Sequence, residues 1–189
     1  SEYGRLRDLL IGPIDNYHWT PGNAVSQRSE RLGLAFDSDV VRAQYQEMIA
    51  AYEEAGVNVY QIPAEAGLPY QVYARDSSVM TPWGAIIMQM EKPYRRGEYA
   101  AVLRFYLEHG IPIYDIVSAG NVEGGDFMVL KPGVAICGYS GERSIEPAVN
   151  QLKNWFEAEG WEFMTCAFDP HFLHLDVQMG MIAEDLAVV

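Results

Sequence analysis

The stretch NVEGGDFMVL (residues 121–130) sets two acids, Glu123 and Asp126, around a Gly-Gly pair and then runs into Phe127, Met128, Val129 and Leu130. The apolar run predicts a buried strand. Asp and Glu are among the residues least tolerant of burial without a partner. Acids at the mouth of such a strand therefore need a reason, and the chain supplies one by repeating the pattern.

Three segments have apolar positions three and four residues apart and end on glycine: DSDVVRAQYQEMIAAYEEAG at Gly56, RGEYAAVLRFYLEHG at Gly110 and SGERSIEPAVNQLKNWFEAEG at Gly160. These predict helices with glycine stops. A short strand follows each stop: VNVYQIP, IPIYDIV and WEFMTCAF. Hairpins follow the first two of these strands, SSVMTPWGAIIMQM turning at Pro82-Trp83-Gly84 and DFMVLKPGVAICGY turning at Lys131-Pro132-Gly133. The stops lie 54 and 50 residues apart, a period that marks an array of supersecondary units. LHLDVQMG and DLAVV start a fourth unit as its first two strands. The predicted class is α/β, one domain over residues 1–189, built of ββαβ units that form either a ring of small sheets or a linear stack.

The hairpins open with YARDSS, VEGGDF and, in the fourth unit, LHLDVQ. Asp76, Asp126 and Asp176 lie 50 residues apart, and Glu123 and His174 fall in nearly one slot. In a closed ring, equivalent slots converge on the axis. Gathered carboxylates are costly unless a cation compensates them or protons are shared, so the acids imply a polar cavity that receives a cationic ligand. The alternative is that each Asp caps a turn locally. Arg143 falls in the first turn of the third helix, and Arg95 and Arg96 at the start of the second, against the helix dipole. Two arginines at the rim of a site suit a carboxylate. The implied guest has a cationic end and an anionic end, as arginine has.

The net charge of −13 argues against nucleic acid and suits a cationic small molecule. No run of 18 apolar residues predicts a membrane span. The start, SEYGRLRDLL, has no leader pattern. Cys137 and Cys166 make no disulfide framework, so a cytoplasmic setting is expected; both thiols read as small buried apolar groups. His171 and His174, three apart on a strand, would face opposite ways, and no metal or cofactor is called for. His18, in the polar loop YHWTPGNAVSQRSE, is a surface residue or part of a lid.

YARD, VEGGD, GERS and HLD, in this order and spacing, resemble the guanidino-group-modifying enzymes: arginine deiminases, dimethylarginine dimethylaminohydrolases and amidinotransferases. The resemblance covers nearly the whole chain. It implies a five-bladed, pseudo-symmetric α/β propeller (the pentein fold), of which this chain would hold about three and a half units. It implies that Asp76 and Asp176 hold a guanidinium, that Glu123 orients it and supports proton transfer, and that His174 is the general acid and base. Arg95 and Arg143 would bind the substrate carboxylate; Asp126 would be structural. The implied chemistry is hydrolysis of an arginine-like substrate through a Cys-linked amidino intermediate. The Cys belongs to the fifth unit of such a propeller, so a C-terminal remainder would supply it. HLD is nearer to arginine deiminases; DPHFLHLD is also like amidinotransferases, which pass the amidino group to an amine. The same fold also serves a ribosome-binding translation factor, so a noncatalytic binding protein is the reading of another class. Homo-oligomerisation is left open.

Overall fold

The computed structural model describes residues 2–19, 24–34 and 37–189. It divides into two compact units, Leu6–Val72 and Tyr73–Val189, the latter joined by the segment before Leu6.

In the first unit, strand β1 (Asp8–Ile11) pairs in parallel with β2 (Asn58–Gln61). Helix α1 (Ala24–Arg31) buries no residue and lies inside the stretch that sequence reads as a polar loop. Residues 20–23 of that loop fall outside the described residues; His18 is exposed. Helix α2 (Ser38–Glu54) starts where the Asp37 carboxylate accepts the N–H groups of Asp39 and Val40, and stops before Gly56 at φ +79°. The buried Tyr45 hydroxyl donates to the Gly12 carbonyl, and burial, then the charge of Asp15, pushes its pKa to about 12.

The second unit contains the repeat. β3 (Ser78–Thr81) and β4 (Gly84–Ile87) form an antiparallel hairpin through Pro82-Trp83; α3 (Glu98–Glu108) leads to β5 (Ile113–Ile116), parallel to β4. β6 (Phe127–Lys131) and β7 (Val134–Tyr139) turn at Pro132-Gly133, and α4 (Glu146–Ala158) leads to β8 (Glu162–Ala167), parallel to β7. β9 (Gly180–Ala183) and β10 (Leu186–Val188) make a further hairpin. Each ββαβ repeat is thus one three-stranded sheet crossed by its own helix. The sheets are separate and none closes, so the five-bladed ring belongs to the proposal below.

Three expectations change. The strands open after the acids: Asp76, Asp126 and Asp176 lie in 3-10 turns at Ala74–Ser77, Gly124–Asp126 and Leu175–Val177. The fourth unit's first strand is therefore Gly180–Ala183, not LHLDVQMG. His171 is likewise in a turn, and His174 is in extended backbone just before Leu175–Val177, so neither lies on a strand. Neither arginine lies in a helix's first turn: α4 begins at Glu146 because Pro147 fits only the first turn of a helix, and Arg95 ends a separate turn, Pro93–Arg95.

The core between the two repeats is apolar and aromatic. Phe156 on α4 is fully buried, packed edge-on against Trp83 and Trp161 and tilted against Phe127 and Phe163. Val102, Val149 and Leu152 are the inward helix positions that the spacing of three and four predicts. Among the described residues, no helix is long and apolar enough to cross a membrane. Phe156→Ala will cost about 3–5 kcal/mol, through lost transfer energy and a cavity; urea unfolding will show the midpoint falling with little change in slope.

Candidate functional site

Two of the three aspartates of the repeating slot, Asp76 and Asp126, do the same work. Asp76 Oδ1 accepts the N–H of Gly125 at 3.2 Å, and Asp126 Oδ1 accepts the N–H of Leu175 at 2.9 Å. Each donor lies 49 residues after its acceptor, in the turn of the next repeat. The second oxygen takes a donor from the same repeat: Arg95 Nη1 at 2.9 Å for Asp76, Ser144 Oγ at 2.5 Å for Asp126. Neither acid caps its own turn; each ties its turn to the following one.

The glycines of EGGD permit this approach. A Cβ on Gly124 would stand 2.0 Å from the Arg75 carbonyl oxygen, and one on Gly125 would stand 2.7 Å from the ring of His174. The turns therefore pack backbone to backbone, and the imidazole lies on the second glycine.

His174 is 5% exposed, and Glu123 and Asp126 are fully buried. Its Nε2 lies 3.4 Å from Glu123 Oε2 and 3.6 Å from Asp76 Oδ1; its Nδ1 lies 3.3 Å from Asp126 Oδ2. Glu123 Oε1 accepts the N–H of Glu91, and Oε2 accepts Arg143 Nη1 at 3.0 Å. Arg95 makes a bidentate pair with Glu98, the first residue of α3, at 2.9 and 2.8 Å. Burial raises the Glu98 pKa, and the Arg95 guanidinium opposes the rise.

The structure thus brings Asp76, Glu123 and His174 together. Arg95 is not on a rim: it is 5% exposed and its donors go to Asp76, Glu98 and the Tyr73 carbonyl. Arg143 is partly open and touches Glu123. Asp176 is exposed and holds Arg75 Nε at 2.9 Å. Sequence reasoning missed Glu98 and Ser144. The three-residue step from Arg95 to Glu98 was a usable signal for the first. The near-equal steps Asp76 to Arg95 and Asp126 to Ser144 were one for the second. Both thiols are inert by environment: burial, then the charge of Asp126, raises Cys137 well above its usual value and Cys166 less.

Four carboxylates (Asp76, Glu98, Glu123, Asp126) meet two guanidiniums (Arg95, Arg143) around one imidazole. Two negative charges remain if His174 is neutral, one if it is protonated. Donor atoms of Asp76, Glu123 and His174 lie within 4.8 Å of one another, a spacing that one small cation would fit. Guanidinium and backbone N–H groups already occupy both carboxylates, which suits a planar organic cation better than a bare ion.

Burial alone would lower the His174 pKa, but the carboxylates of Asp126, Asp76 and Glu123 outweigh it and the net shift is upward. A raised native pKa stabilises the fold fully below the unfolded value near 6.5 and ceases to do so as pH rises through the native value. Unfolding free energies at about pH 6 and about pH 9 will therefore differ more for the wild type than for His174→Gln, which does not titrate. Gly125→Ala will displace the imidazole, costing about 1–3 kcal/mol by overpacking and shifting the His174 ring resonances.

The model of a family described as N,N dimethylarginine dimethylhydrolase, eukaryotic, matches residues 19–189. An uncharacterized protein of Bacillus subtilis (strain 168), YkgA, is 25% identical over 194 residues, covering all of this chain and 64% of that protein. A crystal structure of a dimethylarginine dimethylaminohydrolase adduct with 4-chloro-2-hydroxymethylpyridine superposes with a TM-score of 0.74 at 19% identity, over 94% of this chain and 66% of that one. The substrate-bound N-terminal domain of ArgZ, a cyanobacterial arginine dihydrolase, superposes with a TM-score of 0.73 at 18% identity, over 91% and 62%. The chain thus spans somewhat less than two thirds of these relatives. HLD pointed toward deiminases within the superfamily, whereas the family model is that of the dimethylarginine enzymes. With residues 19–189 matched, the chain belongs to the N,N dimethylarginine dimethylhydrolase family of the guanidino-group-modifying superfamily.

Proposed function

We propose that this chain forms the substrate-binding and proton-transfer part of a hydrolase that cleaves a guanidino C–N bond of arginine or an N-substituted arginine. The observation that carries it is the buried cluster, whose four carboxylates outnumber its two guanidiniums around one imidazole, the pKa of which those carboxylates raise. A guanidinium is the cation whose planar fork meets two carboxylates at once.

In this reading Glu123 and Asp76 face the guanidinium, and Arg143 turns from Glu123 to the substrate carboxylate. Arg95 serves as the internal counter-ion of Asp76 and Glu98 rather than as a clamp. Asp176 holds the guanidinium of Arg75, the same chemical group as the substrate's, and exchanges one for the other. A Cys thiolate from a further segment attacks the guanidino carbon. His174 Nε2 gives a proton to the departing amine, then takes one from the water that releases the ureido product. Cys137 and Cys166 are not that nucleophile, because their pKa values are raised rather than lowered. The ββαβ repeats, with two like segments, would close as a five-bladed ring around this point.

Full-length protein incubated with arginine and with N-methylated arginines should release citrulline together with ammonia or the methylamine. Glu123→Gln should lower kcat by about 10²-fold or more. Ornithine plus an amidinated amine, formed only when an acceptor amine is present, would assign the transferase chemistry instead. No product from any of these substrates would leave a binding role.

A further inference from the structure

Beneath His174 lies a group that the proposed chemistry does not itself use. Asp126 is fully buried and touches the His174 segment twice. Its Oδ1 accepts the N–H of Leu175, the residue after the histidine, at 2.9 Å. Its Oδ2 lies 3.3 Å from His174 Nδ1, off the N–H line, and that nitrogen has no hydrogen-bond partner among the described residues. The fully buried Ser144 donates to the same Oδ2 and accepts the N–H of Glu123 on its own hydroxyl oxygen.

We propose that Asp126 is a positioning residue for the hydrolase read above: it fixes both the backbone and the tautomer of His174, holding the proton on Nδ1 so that Nε2 is free to exchange protons between Glu123 and Asp76. The inference rests on that functional reading for its consequence, but not for its geometry. A carboxylate has only acceptors, so the Nδ1 edge must be the donor whether the ring is neutral or charged. Nε2 is then the single nitrogen whose proton varies, and it faces the two carboxylates that surround the guest. Through Ser144, the same carboxylate is linked to the backbone of Glu123, so both partners of the proton transfer are set from one buried point. The charged groups around the imidazole are Asp76, Glu123 and Asp126 in contact, with Arg95 and Arg143 behind the first two.

Asp126→Asn is the informative variant. Leu175 N–H still requires an acceptor, so the amide oxygen stays on that side and the NH2 group faces Nδ1. The amide then donates where the carboxylate accepted, and the neutral ring must carry its proton on Nε2. Side-chain nitrogen NMR of His174 in the full-length protein should show the Nδ1–H tautomer in wild type and the Nε2–H tautomer in Asp126→Asn, with a titration lower by about one unit or more. kcat on the guanidino substrate should fall by about 10²-fold with KM nearly unchanged, and the limb of the pH–rate profile assigned to His174 should move with the NMR titration.

An unchanged tautomer and titration in a folded Asp126→Asn would overturn the proposal. If that variant does not fold, wild-type nitrogen shifts decide alone: Nδ1–H supports the positioning role and Nε2–H refutes it. Absence of turnover in the wild type would sink the hydrolase reading while leaving the tautomer result to stand or fall by itself.

Discussion

Everything at the site depends on one hydrogen-bond arrangement: an aspartate in each repeat accepting a backbone N–H from the turn that opens the next. Asp76 does so for Gly125 and Asp126 for Leu175, each across 49 residues. A buried N–H without an acceptor and a buried carboxylate without a donor each cost a sizeable fraction of the net stability of a domain. Satisfying each with the other fixes the turns at contact distance. The Gly-Gly pair follows from that contact, since a Cβ on Gly124 would overlap the Arg75 carbonyl. The acids at the mouth of the Phe127–Lys131 strand are thus connectors between repeats before they are anything else.

Catalytic character enters where the repeat is broken. Aligned on the three aspartates, the preceding three residues are Tyr73-Ala74-Arg75, Glu123-Gly124-Gly125 and Leu173-His174-Leu175. In the first two turns the aspartate N–H donates to the carbonyl three residues before it, whereas in the third Val177 N–H donates to the His174 carbonyl. Glu123 and His174 stand in adjacent slots of consecutive repeats, and the aspartate ties bring them to 3.4 Å. A single carboxylate or imidazole placed there would be a buried charge; placed together, with Arg143 and Arg95 at hand, they share protons and charge. In the proposed function, the excess of carboxylates over guanidiniums is what favours a cationic guest.

The frame was largely legible in the sequence. Glycine stops, Pro-Gly turns and the 50-residue period pointed to the helices, hairpins and third strands, and the equal spacing of Asp76, Asp126 and Asp176 marked the turns that the first two aspartates tie together. The partners were less so. Arg95 looked like a rim residue because a cation near a helix start usually seeks an anion in solvent. What holds it inside is Glu98 and Asp76 at once, and pairings that cross repeats have no local signature. The starts of the strands were misjudged for a similar reason: three polar or small residues before an apolar run do not distinguish a pleated strand from a 3-10 turn until the acceptor of the N–H at the turn is known.

That difference bears on how such a repeat can acquire chemistry at all. The aspartate's two oxygens are already committed, one to the next turn and one to Arg95 or Ser144. It cannot be altered without loosening two repeats, whereas the side chain three before it makes neither of these bonds. Tyr73 and Leu173 fill that slot in the other two repeats. Glu123 in that slot, and His174 in the slot that must stay free of a Cβ at Gly124 one repeat earlier, are each delivered to the same point by ties they do not themselves make. Where Ser144 replaces an arginine as the aspartate's second donor, a buried positive charge is removed from beside His174, and the imidazole becomes the group on which the neighbouring carboxylates act. Its raised pKa is the consequence. The same substitution of a hydroxyl for a guanidinium leaves Asp126 without a cationic partner on the side of Nδ1, while Asp76 is paired with Arg95.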